Sequence, residues 1–416
     1  MLPFLNLSND PNNEYFSDGM SEELLNLLCK VPQLTVASRT SSFSFRGKDA
    51  DMGTVAKQLG VDVILEGSVR RSKERVRITA QLIDGRTDRH LWSETYDREL
   101  KDVFAVQDEI ARCIVEALEL NLSPKVQRCI RQRSPTEDMA AYDFYLRGRY
   151  FNERGDVDSG QQMFEKAIAL DENYALAWAG AADCHAWRCM WFGGTPESKR
   201  MADECSLKAL QLAPNQAEAH ASRLLALTLN GKYAEVEFAA AIALDPQLYE
   251  AYYYGGRAYF AQGKYREAVD AFHQAGLIRP DDVVAASLQS TTLKAYGTEK
   301  EMRAAAKHSI AVSDRYLALN PDDALALSRT ANDLIYLGRT EEGLARAERA
   351  LTINANVCRY NVACSNMLAG NTERALELLE EHARFGAVHL DWLVKDSDWD
   401  AVRNHPKYQD IIDLLS

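Results

Sequence analysis

Apolar positions in the first 120 residues switch between two spacings, which predicts alternating strands and helices. "LPFLNLS" reads as a strand, with Pro3 at its start where a missing donor does little harm. "SEELLNLLCKV" has apolar residues three and four apart, Ser21 as N-cap, and Glu22 and Glu23 in the first turn. "LTVAS" predicts a second strand, and "DMGTVAKQLG" a short helix capped by Asp51 and stopped by Gly60. "VDVILEGSV", "RVRITAQLI" and "HLWSETY" follow as a meander, closed by the helix "DVFAVQDEIARCIVEALEL". The order predicts an α/β domain over 1–120, a mixed sheet with helices packed on it.

Residues 121–140 form a basic linker with two prolines. "SPTE" supplies Ser134 as N-cap, Pro135 at the first helical position and Glu137 for a capping box. From 141 to 390 only the helical spacing remains, and the chain becomes similar to itself about every 34 residues. The clearest unit, 249–282, carries Tyr252, Gly256, Tyr259, Gly263, Ala268, Phe272, Ala275 and Pro280. Gly256 and Ala268 would let two antiparallel helices approach closely, and the aromatic residues would fill the space between units. About seven units are readable: 141–174, 175–216, 215–248, 249–282, 283–323, 324–355 and 356–386. The tail, 391–416, departs from the pattern and suits a capping segment that shields the last apolar face.

The repeated residues resemble the tetratricopeptide repeat (TPR) family, which implies an all-α solenoid, a right-handed superhelix with a concave groove for peptides or proteins. "LPFLNLSNDPNNEYFSDGMSEELLNLL", "ASRTSSFSFRGK" and "LWSETYDRELKDVFAVQDEIA" are similar to the TolB amino-terminal-like module of multidomain bacterial signalling proteins. In such proteins these parts commonly follow an output domain: a class III nucleotide cyclase, a CadC-like winged helix or a kinase. The chain starts directly on a strand-like run, and it is read here as a piece whose output domain lies upstream. Any cyclase or kinase activity would reside there. Function is therefore expected to be regulatory and non-enzymatic, either as a scaffold or as the sensory part of a cyclase or winged-helix regulator.

Charge tests one alternative. "SVRRSKERVRITAQLIDG" places Arg70, Arg71, Lys73, Arg75 and Arg77 close together, as a nucleic-acid site would. Yet Val76, Ile78, Ala80 and Leu82 alternate with Arg75, Arg77, Thr79 and Gln81, the signature of one buried and one wet strand face. The first 120 residues hold 15 Lys+Arg against 20 Asp+Glu, and the whole chain carries −13. No aromatic residue is interleaved to stack bases. The expectation is no nucleic acid.

No nucleotide loop, HExxH or GxSxG motif is present, so neither catalytic residues nor a cofactor are expected. Cys184 and Cys189 in "CHAWRC" lie five apart, on different helix faces, and no metal is expected. No apolar run reaches membrane-spanning length, and the scattered thiols suit the cytoplasm. A membrane span upstream would place the chain on the periplasmic side of the inner membrane instead. The TPR resemblance implies that certain positions of each first helix face the groove. Here they include Tyr145, Arg149, Trp187, Tyr253, Arg257, Phe260, Asn332 and Tyr336, the candidate contacts for a protein or peptide.

Overall fold

The computed structural model describes residues 1–415 except 9, 30, 32, 49, 73–74, 121–135, 192–193, 233–234 and 386–389. It divides into two compact units, Met1–Gly180 and Ala181–Ser416.

The first unit holds a four-stranded sheet in the order β1-β2-β3-β4. Strand β1 (Leu5–Asn6) pairs parallel to β2 (Val63–Ser72). Strands β3 (Arg75–Asp84) and β4 (Arg89–Glu99) continue as the antiparallel meander read from the pattern. Along β3, Val76, Ile78, Ala80 and Leu82 are buried while Arg75 and Arg77 are exposed, as period two requires. Arg75 and Arg77 both reach Asp97 on β4, each at 2.5 Å. Arg71 pairs with Asp143, and Arg70 donates to the Leu7 carbonyl. Lys73 lies outside the described residues.

Helix α1 (Glu14–Cys29) begins earlier than its apolar spacing suggests. Ser21 is therefore no cap: its hydroxyl lies inside the helix, donates to the Ser17 carbonyl and accepts from the Phe4 N–H. "LTVAS" forms no strand; Ser38 instead accepts from the Ser41 N–H and turns the chain into α2 (Arg39–Phe43). Asp51 does cap α3 (Met52–Leu59), accepting from the Thr54 N–H at 2.9 Å, and Gly60 ends it at φ 64°. Helix α4 (Val103–Ala117) follows β4.

The proposed capping residues Ser134 and Pro135 lie outside the described residues. The described helix α5 (Met139–Glu153) is capped by Asp138, which accepts from the N–H groups of Ala140 and Ala141. With α6 (Val157–Leu170) it makes the first hairpin. A Cβ built on Gly148 would sit 2.7 Å from the Phe164 ring, so only glycine permits this approach.

Charges tie this hairpin to α1. Arg149 reaches Glu22 at 3.0 Å and Glu23 at 2.7 Å, and Arg39 reaches Glu153 at 2.6 Å. Burial opposes ionisation of Glu22, but Arg149 and Arg39 outweigh it and hold the carboxyl below its usual range. Burial, and then the Glu22 charge, push Glu153 up to about 8.

Further hairpins follow. Helix α7 (Ala175–Trp191) is followed by α8 (Pro196–Leu212), and α9 (Ala217–Leu229) pairs with the short α10 (Glu235–Leu244). Helix α11 (Tyr249–Ala261) pairs with α12 (Tyr265–Ile278), and α13 (Val283–Tyr296) with the long α14 (Glu299–Leu319). Helix α15 (Ala324–Tyr336) precedes α16 (Thr340–Leu368), which kinks at Asn354 and so serves two hairpins. Helix α17 (Thr372–Arg384) completes the last. Between α11 and α12 the first hairpin's device recurs: a Cβ on Gly256 would meet the Phe272 ring at 2.6 Å, and Ala268 is fully buried. Phe238 packs edge-on against Tyr252 and Tyr259, filling the space between the third and fourth hairpins.

The tail forms α18 (Leu390–Leu393), a 3-10 turn (Ser397–Val402) and α19 (Pro406–Leu415). Trp399, Tyr408 and Ile411 join the apolar core of the last hairpins. Among the described residues no helix is long and apolar enough to cross a membrane.

Candidate functional site

A helix repeats every 3.6 residues, so each first helix of a hairpin turns one narrow stripe away from its partner helix. In the second unit these stripes converge on one pocket. Helix α11 supplies Arg257, α15 supplies Arg329 and Asn332, and the second half of α16 supplies Tyr360 and Cys364. The tail closes it with Trp392, Asp396 and Asp398. The cavity is about 80 Å³, far below the roughly 300–1,000 Å³ of sites for drug-sized ligands. It has room for a small group and not for a nucleotide cofactor.

One end is basic. The Arg257 guanidinium lies 5.0 Å from the Trp392 ring centre, 5.4 Å from Trp191 and 5.8 Å from Tyr253. Each contact favours the cation through the ring quadrupole. Arg329, only 7% exposed, gives one N–H to the Ser287 hydroxyl at 3.0 Å, while its Nε has no partner. Burial, reinforced by Arg257, lowers its pKa. Among the described residues neither guanidinium forms an ion pair with a carboxylate. A buried arginine with unused donors is costly, and native interiors rarely leave one without a reason.

The other end is acidic. Asp396 accepts from the Tyr360 hydroxyl at 2.8 Å and from the Asp398 N–H at 3.1 Å. Burial, then Asp396, push Asp398 up to about 7. Lys294 lies 3.4 Å from Asp333, which is itself held by the Ser290 hydroxyl at 2.7 Å. Burial opposes the Lys294 charge, but Asp333, Asp398 and Asp396 outweigh it and raise its pKa. Three carboxylates thus face one ammonium.

Sequence spacing does not reveal that Cys364, Asp396 and Asp398 converge, with ligand atoms within 4.8 Å of one another. What they do not suit is a metal ion: burial and the two aspartates hold the Cys364 thiol well up, and both Asp396 oxygens already accept hydrogen bonds. The cysteines singled out from spacing, Cys184 and Cys189, are buried elsewhere in α7.

The groove candidates fall in several places. Arg257 and Asn332 line the pocket. Tyr253 is buried beside Arg257, and Phe260 is covered by Trp392, 1% exposed. Trp187 donates to the Tyr254 hydroxyl at 3.1 Å, and Tyr336 donates to Glu299 at 3.1 Å. Tyr145 and Arg149 belong to the first unit, where Tyr145 packs on Phe164 and Tyr174 and Arg149 is committed to Glu22 and Glu23.

Sequence reasoning missed Arg329, Asp396, Asp398 and Trp392. A signal existed for the first: "ALALSRTANDLIY" is buried on nearly every side yet holds Arg329, Asn332 and Asp333. Charged residues in a helix buried all round require partners.

A tetratricopeptide repeat family model matches residues 250–281, within the clearest unit. A putative adenylate cyclase 3 of Rhizobium meliloti (strain 1021) is 38% identical over 245 residues, covering 58% of this chain and 41% of that protein. The chain thus spans well under half of that relative's length. Among solved structures, human IFIT1, a dimer with PPP-AAAA, is 12% identical with a TM-score of 0.51, over 98% of this chain and 90% of that one. A tetratricopeptide repeat protein from Parabacteroides merdae ATCC 43184 is 15% identical with a TM-score of 0.38, over 67% of this chain and 99% of that one. The chain thus carries a tetratricopeptide repeat at residues 250–281, within a fold of repeated helical hairpins, and is distantly homologous to part of a putative adenylate cyclase.

Proposed function

We propose that this chain is a non-enzymatic regulatory module that holds a protein partner against the inner stripes of its repeats. In this reading the amino-terminal unit is a TolB-like sensory module, and the whole serves a nucleotide cyclase whose chemistry lies in other residues. The similarity to a putative adenylate cyclase supports the cyclase over the winged-helix alternative. The sharing of Asp97 by Arg75 and Arg77 and the net charge of −13 support a protein partner over nucleic acid.

The observation that carries the reading is Arg257, caged by three aromatic rings and in no ion pair with a carboxylate among the described residues. An acidic side chain of a partner would complete it, through a charge-assisted contact of about 1.5–3 kcal/mol. The test is capture of partners from the native host with wild type and Arg257→Ala, alongside melting curves. Capture weakened about tenfold with an unchanged melt supports the reading; equal capture removes this surface from consideration.

A further inference from the structure

The pocket separates charge in an unusual way. At one end two guanidiniums, Arg257 and Arg329, form no close ion pair with a carboxylate among the described residues, although the Asp282 charge acts on Arg329 from further away. At the other, Asp396 and Asp398 line the cavity, and outside its lining Lys294 pairs with Asp333 at 3.4 Å and feels the charge of both aspartates. The ends do not neutralise each other, although Arg329 and Asp333 are four residues apart on α15 and so about one 5.4 Å turn from each other. Burying charge in this way is expensive unless something completes both ends. Apolar residues at these positions would make a more stable core, and a stability cost of this kind is typical of a functional site.

A mixed pocket also discriminates. A phosphate dianion at the arginines would meet the repulsion of the aspartates. A simple cation at the aspartates would meet Arg257, Arg329 and Lys294. A molecule carrying one carboxylate and one ammonium, a few ångströms apart, satisfies both ends, and a cavity of about 80 Å³ limits it to a small one. Such a ligand would lie with its carboxylate toward Arg329 and Arg257, beside Asn332, and its ammonium toward Asp398. The indole of Trp392 would cover it.

We infer that the pocket between α11, α15, α16 and the C-terminal tail is a binding site for a small free amino acid, with Arg329 and Arg257 holding its carboxylate and Asp398 its ammonium. This goes beyond partner binding. The two roles share Arg257 and part at Arg329 and Asp398, so amino acid and partner would compete for one guanidinium. Asp398, raised to about 7, would release its proton as the ligand's ammonium arrives.

The experiment uses the full chain, with thermal shift and calorimetry against the twenty amino acids, β-alanine, acetate, methylammonium and inorganic phosphate at matched millimolar concentration. At least one amino acid should bind and raise the melting midpoint, while acetate, methylammonium and phosphate alone should not. Arg329→Met should weaken that binding about tenfold or more, yet melt at or above wild type. The Ser287 hydroxyl keeps its bond to the Val284 carbonyl, and an unpaired buried charge is gone. Asp398→Asn should weaken the same ligand, and heat measured in buffers of different ionisation enthalpy should report proton release in wild type only. Binding by no amino acid, or binding that Arg329→Met leaves unchanged, overturns the inference; tighter binding of phosphate than of any amino acid does so too. Partner capture separates this from the preceding proposal. Arg257→Ala should lose both activities, whereas Arg329→Met should lose the amino acid alone. Capture sensitive to Arg257 without amino acid binding sinks only the present inference.

Discussion

The indole of Trp392 lies 4.1 Å from the ring of Phe260, with the two planes 29° apart. One residue belongs to the best-formed repeat and the other to the tail, so the stack fixes the tail on the inner face of the hairpins. It explains why Phe260, at a position the TPR resemblance assigns to partners, is covered. Offset stacks contribute about 0.5–1.5 kcal/mol beyond area burial. A double-mutant cycle of Phe260→Ala and Trp392→Ala should therefore show a coupling of about that size. Strict additivity in denaturant unfolding would mean that the tail does not hold this position.

The register of the fourth hairpin predicts an overpacking cost. Ala268 is fully buried where α11 and α12 meet, and Phe272 already fills the space opposite Gly256. Ala268→Leu should cost about 1–3 kcal/mol. A shift of the denaturant midpoint measures it, with the slope of the transition unchanged.

Arg149 should behave as a structural residue. It stands among Glu22, Glu23 and Glu153, and removing one partner from a buried ionic cluster leaves the others uncompensated. Arg149→Ala should destabilise the first unit by about 3–5 kcal/mol. Proteolysis of the amino-terminal unit, followed in time, would detect it; wild-type resistance would place Arg149 outside the stabilising network.

His382 sets a pH dependence. Burial, and then Arg359, lower its pKa to about 4 from an ordinary 6.5, so the folded chain keeps it neutral while the unfolded chain can protonate it. The unfolded state thus binds more protons between about pH 4 and 6.5, and stability falls as pH drops through that window. His382→Gln should flatten this acid limb, by up to about 3 kcal/mol at its foot, and change nothing above pH 7. Chemical denaturation at a series of pH values is the measurement.

Local order was legible wherever a period of two or 3.6 governed burial. Val76, Ile78, Ala80 and Leu82 alternate into the sheet core, and Gly256 and Phe272 recur in the positions of Gly148 and Phe164. The absence of a strand at "LTVAS" was not legible, since its composition suits a strand.

The sequence by itself determined which residues lie on one face of an element, because sterics and hydrogen bonding impose that spacing within a few positions. It also determined the architecture, a mixed sheet and then repeated hairpins, because small residues and aromatic plugs recur, as with Gly148 and Phe164 and with Gly256 and Phe272. The fate of a polar residue on such a face was decided by tertiary structure. Arg149 and Arg257 occupy equivalent positions of two repeats, yet one meets carboxylates from α1 and the other meets indoles from α7 and the tail. The pocket exists only because distant segments bring Arg329, Asp398 and Trp392 to one place. Desolvation and charge act through space over a few ångströms, whatever the separation along the chain, and local periodicity holds no record of them.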